Sequence, residues 1–526
     1  MSNNDESTSR RFYDPLYDVI ILPASEAVVG EREFWKAQSS ENKETRAITE
    51  ALKVIDCYEF NRMNFLRQAE LAWLVFPSAS HTRFSHALGC LQLADWALES
   101  VVVLQKDGSI HSLRDTISEL DGWLEAFRMA LLLHDIGHMP FSHIIENSLT
   151  LRQKYSKRYG DTLELTHQSI ARNHIMGFDK TIKFYSEYMD QRFGSEFDSE
   201  RLLYHRLKQM TGFDKYRYSE KICFLLGDKS DDALAGIEDE PKRLIRGLRE
   251  LTSGVIDLPR LDHYARDAHF ISVPYGKVQI QSVLRHLAFR DVDDSDQMEI
   301  FLDGDGVEHA FQNLWARLQL ERSAFNNEDY LAYDVMLSSA IEKHWDISVK
   351  NEDEYFARFF PYFDDFELLD ALQHSEDQSV TTLAKRVILR EPYSCVGKYR
   401  ITDQNDMAKN DGNVESRRYL RNCIDNKAVT HDLDGTNIFL RFDRLFDKYK
   451  NGKLDLGHHR WMDMEKIRDR HGNPISQSPD RKKFVEFIRG CEEVAASTFW
   501  VFVPNIEMVE NAKNMLDDIG CQKLTI

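Results

Sequence analysis

The sequence has few cysteines, few prolines and no long apolar run. Its seven cysteines, Cys57, Cys90, Cys223, Cys395, Cys423, Cys491 and Cys521, are scattered, and none forms a Cys-x-x-Cys pair. That spacing argues against a thiolate zinc site and a disulfide framework, and it suits a reducing, cytoplasmic setting. No apolar stretch reaches the ~20 residues of a membrane span, and Met1 to Arg11 has no signal-peptide core. No membrane partner is expected. Positive charge is also short: 67 Lys and Arg against 87 Asp and Glu leave a net charge of −20 over 526 residues. So acidic a chain is a poor general binder of polyanions. Long nucleic acid is disfavoured as a partner. A small anionic ligand stays open, if Arg, Lys and metal are concentrated around it.

What is present is mostly helical pattern. Apolar residues recur at helical spacing over 45–72, 83–105, 122–135, 165–176, 259–270, 306–343, 365–374 and 379–390. Residues 12–23 read as a turn leading into a short strand. Residues 287–292 and 298–302, separated by an Asp-rich turn, read as a β-hairpin. Composition shifts near residue 402, and 403–416 reads as a loop. Beyond it, strands at 437–440 and 498–503 alternate with helices at 480–490 and 506–519 around a polar loop at 451–480. The expected fold is mainly α, with a disordered tail over 1–11, a helical domain over 12–402 with a small hairpin, and a C-terminal α+β region over 403–526.

The chemistry concentrates after an apolar helix. Leu131-Leu132-Leu133 runs into His134-Asp135, then Gly137-His138, Pro140-Phe141-Ser142-His143 and Glu146. Imidazole and carboxylate side by side are metal-ligand types, and polar groups beside so apolar a run are costly to bury without a partner. Three further pieces join them: His81 to His86, Thr166-His167-Gln168, and Asp257 to Asp267. Taken singly, most of the 19 histidines, His81 and His167 included, read as ordinary surface or hydrogen-bonded residues. Arg266-Asp267 reads as a helix-face ion pair of little worth, and Arg317 as a solvated helix residue. Together the pieces are far less ordinary.

Together they resemble the HD-domain deoxynucleoside triphosphate triphosphohydrolase (dNTPase) family, including its animal members with a SAM domain ahead of the HD domain. The resemblance covers nearly the whole chain, with no SAM domain expected before Phe12. It implies an HD helical fold over the domain at 12–402. It also implies hydrolysis of a dNTP to deoxynucleoside and triphosphate, a role in dNTP-pool control or antiviral defence, and a homo-oligomer (dimer or tetramer). His86, His134 and Asp135 match the metal ligands, for a divalent ion that is Mn, Fe, Mg, Co or Zn. His143 and Glu146 match the catalytic pair, with His138 and His167 in support. Arg83, Arg260 and Arg317 fall at phosphate contacts, and Gln68 and Asp267 at sugar contacts. His263 and Phe325 replace tyrosines at the substrate, and Asn327 replaces a histidine. Asp56 matches a residue of the animal enzymes' guanine-nucleotide site, where Asn64 replaces an arginine.

The fourth family ligand is an aspartate, and its position here is Pro259, which has no side-chain donor. Asp257 is one substitute; three protein ligands plus water, or loss of tight binding, are the others. The departures keep two further readings open: an HD phosphohydrolase for another nucleotide or a nucleic-acid end, and a non-catalytic nucleotide-sensing subunit.

Overall fold

A computed structural model describes residues 10–22, 51–160, 165–228, 230–254, 256–274, 279–292, 295–352, 354–400, 414–431, 433, 438–442 and 498–524, with a few isolated positions between 449 and 483. The tail at 1–9, the loop at 403–413 and the helix expected at 480–490 lie outside these residues, apart from Lys483.

The chain opens with an antiparallel hairpin, β1 (Arg10–Asp14) and β2 (Asp18–Leu22). Both arms are strands, where the sequence indicated a turn and one strand. Helix α1 (Arg83–Ser100) starts at the N-cap Thr82, whose side chain accepts from the Ser85 amide. It stops earlier than its apolar spacing indicated. The β-branched run Val101-Val102-Val103 favours an extended chain, and β3 (Val102–Leu104) pairs with β4 (Ile110–Ser112). Helix α2 (Trp123–Leu133) is buried almost all round, as a core helix should be. After it come the one-turn α3 (His143–Glu146), α4 (His167–Met176) and α5 (Leu258–Ile271). The expected hairpin forms as β5 (Leu287–Arg290) and β6 (Glu299–Leu302); β3 adds in parallel to β5, giving the order β4-β3-β5-β6.

The long helix expected at 306–343 is two. Helix α6 (Asp305–Leu320) runs into a π-turn, Glu321–Phe325, and α7 (Glu328–Lys350) restarts after it. Asn327 makes the break, because its side chain accepts from the Asp329 and Tyr330 amides as an N-cap. Helices α8 (Asp365–Gln373) and α9 (Gln378–Ile388) match expectation. The last sheet has the order β10 (Gln522–Leu524), β7 (Ser394–Arg400), β9 (Thr498–Val503), β8 (Phe439–Phe442), and draws strands from both sides of residue 402. Helices α10 (Val414–Ala428) and α11 (Val509–Ile519) complete this α+β unit. The fold is mainly α with small sheets, and no described helix is long and apolar enough to cross a membrane.

Two apolar clusters meet along a seam. Leu133 and Ile136 belong to the first, whereas Met139, Phe141, Ile144 and Ile145 belong to the second. Helix α5 divides the same way, with Leu258 and Leu261 in one and Tyr264, Ala268 and Ile271 in the other. The polar motifs therefore follow the boundary between two cores.

Close approach of α1 to α5 requires Gly89. A Cβ there would lie 2.2 Å from Asp262 Oδ1 and 2.5 Å from Arg266 Nη2. Gly89→Ala must displace this buried ion pair. Overpacking costs about 1–3 kcal/mol, so the expected outcome is a lower urea midpoint with an unchanged m-value, measured by circular dichroism.

Candidate active site

The first turn of α1 carries Arg83 and His86, and the end of α2 delivers His134 and Asp135 from the other side. His86 Nδ1 lies 2.6 Å from Asp262 Oδ2. Facing an ionised carboxylate, that nitrogen is the N–H donor, which leaves the lone pair on Nε2. His134 Nδ1 likewise donates to the Leu131 carbonyl at 2.8 Å. The two Nε2 atoms then face each other at 3.1 Å. Two lone pairs so close repel unless a proton or cation lies between them. Asp135 completes the approach, with Oδ1 3.2 Å from His134 Nε2 and Oδ2 3.8 Å from His86 Nε2. Two imidazoles with fixed tautomers and a carboxylate are a donor set that fits a divalent cation.

Electrostatics agree with that fit. Burial works against charge on Asp135, but His134, Arg83 and His138 outweigh it and hold the carboxyl well below its usual range. Burial lowers His86, and Asp262 only partly opposes this; a neutral imidazole is the ligating form. Cys90, one turn after His86, is fully buried, with its sulfur 3.7 Å from His86 Nδ1. Burial, with Asp262 and Asp135 nearby, pushes its thiol up.

Asp262 is itself held from three directions. Arg266 donates from Nε at 2.8 Å and Nη2 at 2.9 Å, and the Tyr17 hydroxyl donates at 2.6 Å. Arg266 Nη1 also reaches Asp14 Oδ2 at 2.7 Å. All of Arg266 is buried, so it is no helix-face residue. The Asp14-Pro15 opening thus reaches the imidazole pair through Arg266, Asp262 and His86.

A second cluster adjoins the first. His138 Nε2 lies 3.2 Å from Asp135 Oδ1, and its ring stacks on His167 at 4.3 Å. His143 Nδ1 lies 3.0 Å from Glu146 Oε2, and His167 Nδ1 lies 2.9 Å from the same oxygen. Burial opposes the Glu146 charge, yet His167 and His143 hold that carboxyl well below its usual range. Burial lowers His143, with Glu146 pulling the other way. His143 remains half-exposed, with Nε2 as its remaining nitrogen. Gly137 admits α4: a Cβ there would lie 2.1 Å from the His167 carbonyl.

The backbone before His143 is unusual. Phe141 and Ser142 have φ of 49° and 52°, a left-handed conformation that side chains disfavour. Groups absent from the sequence reading hold it there. Asp365 Oδ1 accepts from the Phe141 amide at 2.7 Å, and Glu70 Oε1 accepts from the His143 amide at 3.0 Å. Arg62 Nη2 donates to the His138 carbonyl at 2.6 Å. Each lies far away in sequence, with no local signal.

The residues indicated for substrate are placed less uniformly. Arg83 turns inward, donating to Ser142 Oγ at 2.8 Å and pairing closely with Asp135. Gln68 Nε2 lies 3.0 Å from His263 Nδ1, and His263 Nε2 lies 2.9 Å from Asp267 Oδ2. His81 takes the other Asp267 oxygen at 2.7 Å, which makes it a hydrogen-bonded residue. Burial opposes charge on His263, but Asp267 prevails and raises its pKa. Arg317 lies over the Tyr264 ring, with 5.9 Å to its centroid. Phe325 is buried edge-on to Tyr330. Asp257 caps α5, accepting from the Arg260 amide at 2.8 Å, and pairs with the Arg260 guanidinium at 3.2 Å. Arg260 also donates to the Gly254 carbonyl at 2.8 Å. Asp56 pairs with Arg10 at 2.5 Å on the surface.

Asp365 gives this turn a pH dependence. Burial pushes its carboxyl up to about 7, the amides of Arg67 and Phe141 opposing only in part. In the unfolded chain an Asp ionises near ~4. Between those values the folded protein holds a proton that the unfolded chain has released, so stability falls as pH rises from about 4 to about 7. Asp365→Asn should flatten that dependence. Urea midpoints at about pH 5 and about pH 8 measure it, with a smaller difference expected for the variant.

No protein-family model matches the chain. It is 24% identical over 358 residues to an uncharacterized protein of Methanocaldococcus jannaschii, covering 68% of this chain and 58% of that one. It is 37% identical over 107 residues to an HD domain-containing protein of Acanthamoeba polyphaga mimivirus, covering 20% and 23%. With the deoxynucleoside triphosphate triphosphohydrolase SAMHD1 of Bos taurus it shares 25% identity over 293 residues, covering 56% and 44%. The chain thus spans less than two thirds of each relative's length. These matches agree with the likeness carried by the motifs: the chain resembles the HD-domain deoxynucleoside triphosphate triphosphohydrolases.

Proposed function

We propose that this chain is a metal-dependent HD phosphohydrolase that cleaves a deoxynucleoside triphosphate into deoxynucleoside and inorganic triphosphate. The observation that carries this reading is the junction of two side-chain sets. His86, His134 and Asp135 converge as cation donors, and Asp135 Oδ1 lies 3.2 Å from His138, in the cluster that holds His143 and Glu146.

A divalent cation held by His86, His134 and Asp135 would supply Lewis acidity and nucleophile activation at the phosphorus. The rest falls to the chain's own groups. Glu146 accepts the Nδ1 proton of His143, so His143 presents Nε2 outward as the proton-carrying atom. Its lowered pKa suits release of that proton to a departing 5′ oxygen. His167 keeps the Glu146 carboxylate in place from its other side, and His138 ties the pair to Asp135. Arg83, Arg260 and Arg317 are the candidates to meet triphosphate charge. Gln68, fixed by His263, is the candidate sugar contact.

Chain loaded with Mn, Fe, Co, Mg or Zn and incubated with each dNTP should release triphosphate with at least one pair. His143→Ala should keep its metal and lose roughly 10²–10⁴ in kcat, read as triphosphate released. A metal-replete protein that yields no product from any nucleotide would contradict the reading. Asp262→Asn should weaken metal binding by about 10–100-fold, read by competition with a chelator.

A further inference from the structure

The donor set above has one place unaccounted for. Pro259 stands where the resemblance puts the fourth ligand. Asp257, the nearest acidic substitute in sequence, caps α5 and is paired with Arg260. On the opposite wall of the site, α1 carries Cys90 four residues after His86, so both side chains share one face. We infer that Cys90, as a thiolate, is the fourth protein donor to the cation held by His86, His134 and Asp135. This rests on the metal-site reading of the proposed function.

Distance supports it first. The Cys90 sulfur lies 3.7 Å from His86 Nδ1 and 3.8 Å from His86 Nε2. Donor atoms of His86, Cys90 and His134 all fall within 4.8 Å of one another. Metal–nitrogen and metal–sulfur bonds of about 2.0 and 2.3 Å, at tetrahedral angles, separate such donors by roughly 3.3–3.6 Å. The two Nε2 atoms at 3.1 Å already approach this spacing, and Cys90, which lies as near Nδ1 as Nε2, closes the set by turning its side chain toward the Nε2 side. Surroundings support it second. Cys90 is fully buried beside His86, and the two facing Nε2 atoms already call for a cation. The lack of Cys-x-x-Cys spacing had argued against any thiolate ligand, but that rule concerns sites built from cysteine pairs, and this one has a single cysteine among histidines.

Binding is a proton exchange without redox change. The S–H bond breaks, its proton leaves to solvent, and the sulfur lone pair forms the bond to the cation. A thiolate donor also selects the metal: Zn, Fe(II) or Co(II) is favoured over Mg, whose preference is for oxygen donors.

The test uses the full chain loaded with Co(II). One cobalt per chain with a near-ultraviolet sulfur-to-cobalt charge-transfer band is expected. The band should vanish in Cys90→Ser and Cys90→Ala, whether or not cobalt is retained. X-ray absorption at the cobalt edge of the unmutated protein should independently show one sulfur at about 2.3 Å, which needs no variant to fold. Cobalt bound through nitrogen and oxygen alone, or a band that survives Cys90→Ala, overturns the thiolate and leaves the hydrolase reading standing. Failure of the unmutated chain to bind cobalt also overturns the thiolate, whereas the hydrolase reading falls only if the nucleotide screen fails with every metal.

Discussion

The buried carboxylate of Asp262 is the constraint on which the geometry of the candidate site depends. It accepts from His86, Arg266 and Tyr17 together. A carboxylate with no access to water is tolerable only when its lone pairs are filled and an opposite charge is close. Arg266 meets the charge requirement, and Asp14 relieves the excess on Arg266. The arrangement works only as a whole: removing one member of a buried ion pair costs about 3–5 kcal/mol, because its partner is left uncompensated. That cost makes the orientation of His86 nearly invariant, and a ligand whose ring cannot turn binds a cation with less loss of entropy. Stability and site geometry are here the same interactions.

A comparable logic governs the other half. The left-handed residues Phe141 and Ser142 sit at the seam between two apolar cores, where the chain must turn sharply to aim His143 outward. Asp365, Glu70 and Arg62 hold the backbone from three distant segments. Glu70 also accepts from the Tyr330 hydroxyl of α7, so the turn is anchored to the longest helix of the second core. Strain of this kind persists only where surrounding structure over-determines it. His143 thus follows the second core, and His86 and His134 the first, with Asp135 and His138 as the bridge.

This division explains what the sequence disclosed. Helical spacing and caps are local, so α2, α4, α5, α8 and α9 were legible within a few residues. The hairpin of β5 and β6 was legible from its turn. The parallel pairing of β3 with β5 was not, because its partners are nearly two hundred residues apart and β3 continues a helical pattern without a break. Within the site, the His-Asp motif announced itself by residue type. Its supports did not: Glu70 and Asp365 look like surface acids, and nothing near Arg266 distinguishes a buried pair at i, i+4 from a solvated one. Cys90 was hidden by the same limitation, since its meaning depends on what α2 brings opposite it.

Pro259 and His263 change how the site is held more than the charge it carries. A proline in the first turn of α5 favours helix initiation, and Asp257 before it serves as the cap. His263, where the resemblance indicates a tyrosine, carries a raised pKa against Asp267. A Cys90 thiolate, as inferred above, would replace one negative donor with another, so Pro259 need not alter the charge at the cation. The protein as a whole carries −20, a field that repels a triphosphate at long range. At so buried a site, however, local charges dominate over distant ones screened by salt. Arginines such as Arg83, beside Asp135, are local charges of that kind and attract a polyanion at contact distance. The departures from the family pattern therefore do not, on electrostatic grounds, weaken the case for a phosphorylated substrate.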